Sequence, residues 1–144
     1  MLKLLFYLSF VIFFWEKDPS FYKDYNLKII ISNIKYSGKI YFALYDSAEN
    51  FNSPDESVDK MKLAIREMVQ VGKHEINLKL DEGYYGIKIY VDKNLNEKFD
   101  TNFFGLPKEQ FGFSNNVMGL VGPPTFEKSM IYVSRNKTIN IILR

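Results

Sequence analysis

Asp92, Asn94, Asn96 and Asp100 stand at relative positions one, three, five and nine of a single run. Oxygen-bearing side chains at that alternate spacing are how a calcium loop gathers hard ligands around one cation. The Lys98 carbonyl falls at position seven, giving a candidate Ca2+ set of Asp92, Asn94, Asn96, Lys98 and Asp100, with Glu109 as a distal ligand. Two positions depart from an EF-hand loop: Glu97 replaces the glycine at position six, and Phe103 replaces the bidentate glutamate at position twelve. Neither flank reads as a helix. The expectation is a calcium loop carried on strand ends, of modest affinity because only two core ligands are charged. The alternative is an Asx-rich turn whose side chains bond their own backbone.

Other chemistry has little material. The chain holds one histidine, His74, and no cysteine, which removes disulfides, thiolate metal sites and cysteine nucleophiles together. Asp92, Asp100 and Glu109 could be read as a carboxylate pair for glycoside hydrolysis, but their close spacing favours a shared cation over two separated roles. Gly112-Phe113-Ser114-Asn115-Asn116 begins like a nucleophile elbow and lacks its closing glycine and its strand-to-helix setting. No catalytic residue is assigned, and the expectation is a protein that is not an enzyme.

The elements that must position these residues read as strands. At 144 residues, with 47% hydrophobic and 25% charged content, the chain is one globular domain with a sizeable core. The net charge of +2 comes from interspersed signs, so nothing marks a nucleic-acid surface. Residues 1–15 combine Lys3 with an apolar run too short to span a bilayer comfortably, the pattern of a signal peptide or an uncleaved N-terminal anchor. No small-residue cleavage site follows. Export is expected, to a periplasmic, extracellular or membrane-tethered location, with membrane contact only through residues 1–15 if uncleaved. Residues 16–24 form a polar lead-in to a domain at 25–144.

Within that domain Leu27, Ile29 and Ile31 alternate, as do Ile40, Phe42 and Leu44; Ile76, Leu78 and Leu80; Tyr85, Ile87, Ile89 and Val91; and Ile139, Ile141 and Leu143. The short turns Ser37-Gly38 and Arg135-Asn136-Lys137 predict antiparallel hairpins between the flanking strands. Residues 126–134 are expected as one strand. Local propensity at 58–71 favours a helix. The sum is an all-β fold: a single antiparallel β-sandwich of about seven strands, with one long ordered loop at about 92–124. That loop is rich in Gly, Pro and aromatic residues, and most of its aromatics are expected to be satellite core.

The run of submotifs resembles a family of exported bacterial proteins catalogued as domain of unknown function 2141. The resemblance rests on Leu80-Asp81-Glu82-Gly83-Tyr84-Tyr85, Val91-Asp92-Lys93-Asn94-Leu95-Asn96, Phe104-Gly105-Leu106-Pro107-Lys108-Glu109, Phe111-Gly112-Phe113-Ser114-Asn115-Asn116 and Gly122-Pro123-Pro124-Thr125-Phe126. It implies a signal peptide followed by a transthyretin-like or carboxypeptidase-regulatory-like sandwich, with a strand near 58–70. The family pattern usually has glycine where this chain has Glu97. No activity comes with the resemblance. The functional expectation is an exported non-enzymatic module binding an unknown envelope protein or glycan; the alternatives are an envelope assembly component or a glycoside hydrolase-like enzyme.

Overall fold

The computed structural model describes residues 23–55 and 57–144. The expected signal segment at 1–15, and residues 16–22 of the lead-in, lie outside the described residues. The domain is an all-β sandwich of eight strands in two sheets. The first sheet places β1 (Tyr25–Ile34) between β4 (Gly72–Leu80) and β8 (Lys137–Ile142). The second orders β3 (Leu63–Val69), β2 (Gly38–Tyr45), β5 (Gly83–Asp92) and β6 (Gln110–Phe113), and β7 (Ile131–Val133) pairs with the start of β5. Every pair is antiparallel except β1 with β8.

Period-two alternation places the core as read. Leu27, Ile29 and Ile31 of β1, Ile40 and Leu44 of β2, and Ile87 and Val91 of β5 are fully buried between the sheets. Burying each such side chain contributes about 1.5–3 kcal/mol, which outweighs the few tenths by which propensities differ. At residues 63–69 helix-favouring Leu, Ala and Met form a strand because β2 offers an unpaired edge, with Val69 buried and Leu63 and Ile65 half-buried against the core. A second, smaller cluster of Tyr45, Phe51, Phe113 and Phe126 lies apart from this core. Phe51 and Phe126 come from two one-turn helices, α1 (Ala48–Phe51) and α2 (Phe126–Ser129). The expected single strand at 126–134 is therefore a helical turn followed by the three-residue β7.

Both predicted hairpins are crossings between sheets. β1 and β2 never pair. A one-residue bulge between Ile31 and Ile34, with Asn33 at φ 64°, turns β1 out of its sheet. The three residues 35–37 then reach the other sheet, a span of about 10 Å that three extended residues cover. Gln110 fixes the crossing: its side chain accepts from Lys35 N at 2.7 Å and donates to Asn33 O at 2.8 Å, while its N–H meets the Tyr36 hydroxyl. Likewise β7 pairs with β5 and β8 with β1, so residues 134–136 also cross.

The expected loop at 92–124 is divided by β6 and by a 3-10 turn at Ser114–Asn116. Asn115 and Asn116 are left-handed, at φ 61° and 54°, a conformation asparagine tolerates. The Asn116 side-chain amide accepts from Ile142 N at 2.7 Å and donates to Asn140 O at 2.9 Å. Beyond it, Phe111 and Arg144 exchange backbone bonds of 3.2 and 2.9 Å. The end of β8's outer edge, from Asn140 O to Ile142 N, is thus occupied.

Candidate functional site

The 92–100 loop leaves the end of β5 as a tight coil. Leu95 and Glu97 adopt φ 60° and 63°, and the N–H groups of Asn96, Glu97 and Lys98 turn inward onto side-chain oxygens. Asp92 is fully buried, and its carboxylate accepts from Glu97 N at 2.7 Å and Asn96 N at 3.2 Å. The Asn94 oxygen accepts from Asn96 N, and the Asn96 oxygen from Lys98 N at 3.0 Å. Both amide nitrogens turn toward Asp100, Asn94 at 2.7 Å and Asn96 at 3.1 Å. These donors, Asn96 first, hold the Asp100 carboxyl below its ordinary range.

The two carboxylates at the strand end are therefore met by N–H donors. Asn94, Asn96 and Asp100 converge, Asp92 joins them through the Asn96 backbone, and Lys98 enters by its N–H. Among the described residues no three acidic or histidine side chains converge as metal ligands. The donor set still fits calcium in kind, with two carboxylates and two amides whose oxygens face inward after a half-turn of each amide.

Glu109 has a different place from the distal ligand expected of it. It is 6% exposed, and its two oxygens accept from Lys93 N at 2.9 Å and Asp100 N at 3.1 Å, the two ends of the coil. From Asp100 the chain makes a small hairpin bridged at Thr101 and Pro107. The Asn102 side chain accepts from Phe104 N and Leu106 N, and Gly105 takes φ 76° at the tip. That tip presents Phe103 and Phe104, 98% and 82% exposed, edge to face with centroids 5.5 Å apart. The expectation of satellite core holds for Phe111 and Phe113 and fails for this pair, which stands exposed at the tip.

Ser114, the serine of the elbow-like run, is fully buried. Its hydroxyl accepts from Ile87 N at 2.9 Å and donates to Ser129 O at 2.5 Å. Asn115 donates to Lys128 O and Met130 O. With Asn116 on β8, the three residues tie one turn to three distant segments. His74 of β4 sits 2.7 Å from Glu67 of β3, in the other sheet.

Sequence reasoning missed the outer face of the second sheet. Arg66, Tyr41, Tyr90 and Phe111 lie directly opposite one another across β3, β2, β5 and β6, and Ala64, Ala43, Lys88 and Phe113 form the next row. Tyr41 stacks on Tyr90 at 4.6 Å, and Phe99 of the coil packs against Tyr90 and Phe111 at 5.2 and 5.9 Å. Burial pushes the Tyr90 phenol well above its ordinary range. The two alanines leave a cleft of about 550 Å³ between the aromatic row and Tyr45, Met61 and Pro123. The signal was present in the chain: Tyr41, Ala43 and Tyr45 occupy outward positions of a strand where polar residues are ordinary.

Residues 29–141 match the family described as "Uncharacterized protein conserved in bacteria (DUF2141)". No curated protein and no solved structure matches the chain.

Proposed function

The chain belongs to the bacterial family DUF2141, and from that premise we propose an exported, non-enzymatic binding module of the cell envelope. It holds a protein or glycan against the tip of the 101–107 hairpin, with Ca2+ stiffening the coil beneath. The observation that carries this reading is the aromatic pair held in the open. Phe103 and Phe104 stand on a hairpin ordered by Asn102 and anchored through Glu109, so their exposure is built into the fold. Aromatic rings displayed on an ordered loop suit stacking on sugars or on partner side chains.

The cation enters through the amides. Asn94 and Asn96 now give nitrogens to Asp100; a bound Ca2+ would take their oxygens together with Asp92 and Asp100, and the half-turned amides would stay turned only while the ion balanced the charge. At free calcium one hundred times the dissociation constant, the folded state gains about 2.7 kcal/mol. Thermal melts of the full chain in millimolar calcium and in chelator test this: a higher midpoint with calcium is expected, lost in Asp92→Ala. An unchanged midpoint removes the cation. For the tip, the full chain is sedimented with an envelope fraction beside the Phe103→Ser/Phe104→Ser variant. Retention of the wild type and loss of the variant is expected, with protease or periodate treatment of the fraction separating a protein from a glycan partner. Equal retention of both removes the tip as the binding surface.

A further inference from the structure

We propose that the cleft on the outer face of the second sheet is a separate binding site for a small flat ring bearing a carboxylate. In a two-sheet sandwich with one face of each sheet on the core, the opposite face is ordinarily polar. Here it carries a row of aromatics across adjacent strands, Tyr41, Tyr90 and Phe111, roofed at one side by Phe99. Beside that row the paired positions Ala43 and Ala64 have almost no side chain. The step from tyrosine down to alanine makes a wall and a floor, and the opening of about 550 Å³ falls in the range that holds a small molecule. A pleated floor of alanine methyls and an aromatic wall favour a ring laid flat or edge-on over a branched chain.

Charge selects the second half of the ligand. Arg66, Lys88 and Lys98 line the cleft, and among the described residues Glu97 is its one acidic lining residue. Glu97 is already paired with Lys39 at 3.0 Å. The Arg66 guanidinium lies 5.2 Å over the Tyr41 ring, and among the described residues it pairs with no carboxylate. A guanidinium fork held over an aromatic face offers a carboxylate two parallel charge-assisted hydrogen bonds, about twice as strong as those it gives a neutral oxygen. The Tyr41 hydroxyl, buried in the wall, has no hydrogen-bond partner among the described residues. The ring and acid could come from an aromatic carboxylate or from an acidic sugar; either presents an apolar ring face and an anionic edge.

The site is independent of the hairpin tip, because none of Phe103, Phe104 or Leu106 lines it. The test is saturation-transfer NMR and titration calorimetry on the full chain. The probes are phenylacetate and glucuronate, with phenylacetamide and glucose as their neutral counterparts. One of the two acids is expected to bind, at least tenfold tighter than its neutral counterpart, and which one binds identifies the source. Arg66→Ala is expected to cost about tenfold for the acid and clearly less for its neutral counterpart. Ala64→Leu, which fills the floor from an exposed position without touching the core, is expected to abolish binding while the melting midpoint stays near that of the wild type. Binding of neither acid at millimolar concentration overturns the proposal. So does equal binding of acid and neutral probe, or binding that Ala64→Leu leaves intact.

Discussion

Glu109→Ala is the substitution whose cost follows most directly from the geometry. The Glu109 carboxylate, 6% exposed, closes the coil by accepting from Lys93 N and Asp100 N, one bond at each end. A hydrogen bond to a charged group contributes about 1.5–3 kcal/mol net. Both bonds are only part-buried, so water can reach the freed N–H groups once the coil loosens, and the lower figure applies to each. Two bonds at about 1.5 kcal/mol give a loss of about 3 kcal/mol, a sizeable share of a small domain's stability. At about 3 °C per kcal/mol for a chain of this length, the melting midpoint should fall by about 9 °C. Glu109→Gln keeps one acceptor oxygen and turns an NH2 toward the other N–H, so it should fall between wild type and alanine. Hydrogen exchange locates the effect. In Glu109→Ala the amides of Lys93 and Asp100 should both lose protection, while those of β1 change only with global stability. A midpoint within 2 °C of wild type, with both amides still protected, would show that the coil closes without its clamp and would refute the reasoning.

Three further outcomes are expected. At Glu97, φ 63° reverses the usual order of substitutions, so Glu97→Gly should be about 1 kcal/mol more stable than Glu97→Ala in urea unfolding; both lose the Lys39 ion pair, and an alanine variant equal to glycine would contradict it. A Cβ at Gly86 would stand 2.8 Å from two ring atoms of Phe51 and 3.0 Å from Phe126, so Gly86→Ala should cost about 1–3 kcal/mol and shift the ring-current signals of both rings; unchanged spectra would count against the packing. The Asp100 carboxyl is lowered by its Asn96 and Asn94 donors, so its contribution is complete above the ordinary aspartate value near 3.8 and is lost as pH falls through its lower folded value. Its NMR titration midpoint should lie below that ordinary value and rise in Asn96→Ala; a midpoint that does not move would remove the amide donors as the cause.

What the chain revealed before folding, and what it hid, divides by distance. Leu27, Ile29 and Ile31, or Ile76, Leu78 and Leu80, show their buried face through their own spacing, because side-chain alternation is a local property of a strand. Pairing is not local. Residues 35–37 are as suitable for a hairpin as for a crossing, and what decides between them is Gln110, which bonds Lys35 and Asn33 from across the sequence. The strand at 63–69 was legible only through family resemblance, since its residues favour a helix and its edge position beside β2 overrules them. For the candidate site, Asn94, Asn96 and Asp100 of the spaced run are joined by side-chain hydrogen bonds. The spacing could not show which end of each amide faces Asp100, nor that Glu109 would spend both oxygens on backbone N–H groups. The cleft stayed hidden because Tyr41, Ala43 and Tyr45 sit among apolar neighbours, and only the strand register puts Ala43 beside Ala64.

The Asn116 amide on β8 has a consequence for how copies of this protein behave together. A free strand edge is a template: its unpaired peptide groups can recruit another chain, and the recruited chain exposes the same edge again. Asn116 occupies Asn140 O and Ile142 N with the two ends of one side chain, imitating a single peptide of an absent neighbour strand. Because a side chain has no further peptide groups to offer, strand addition stops there. Asn116→Ala would leave the sandwich its core and the Phe111–Arg144 pairing, and would free Asn140 O and Ile142 N as the one peptide's worth of edge open to another chain.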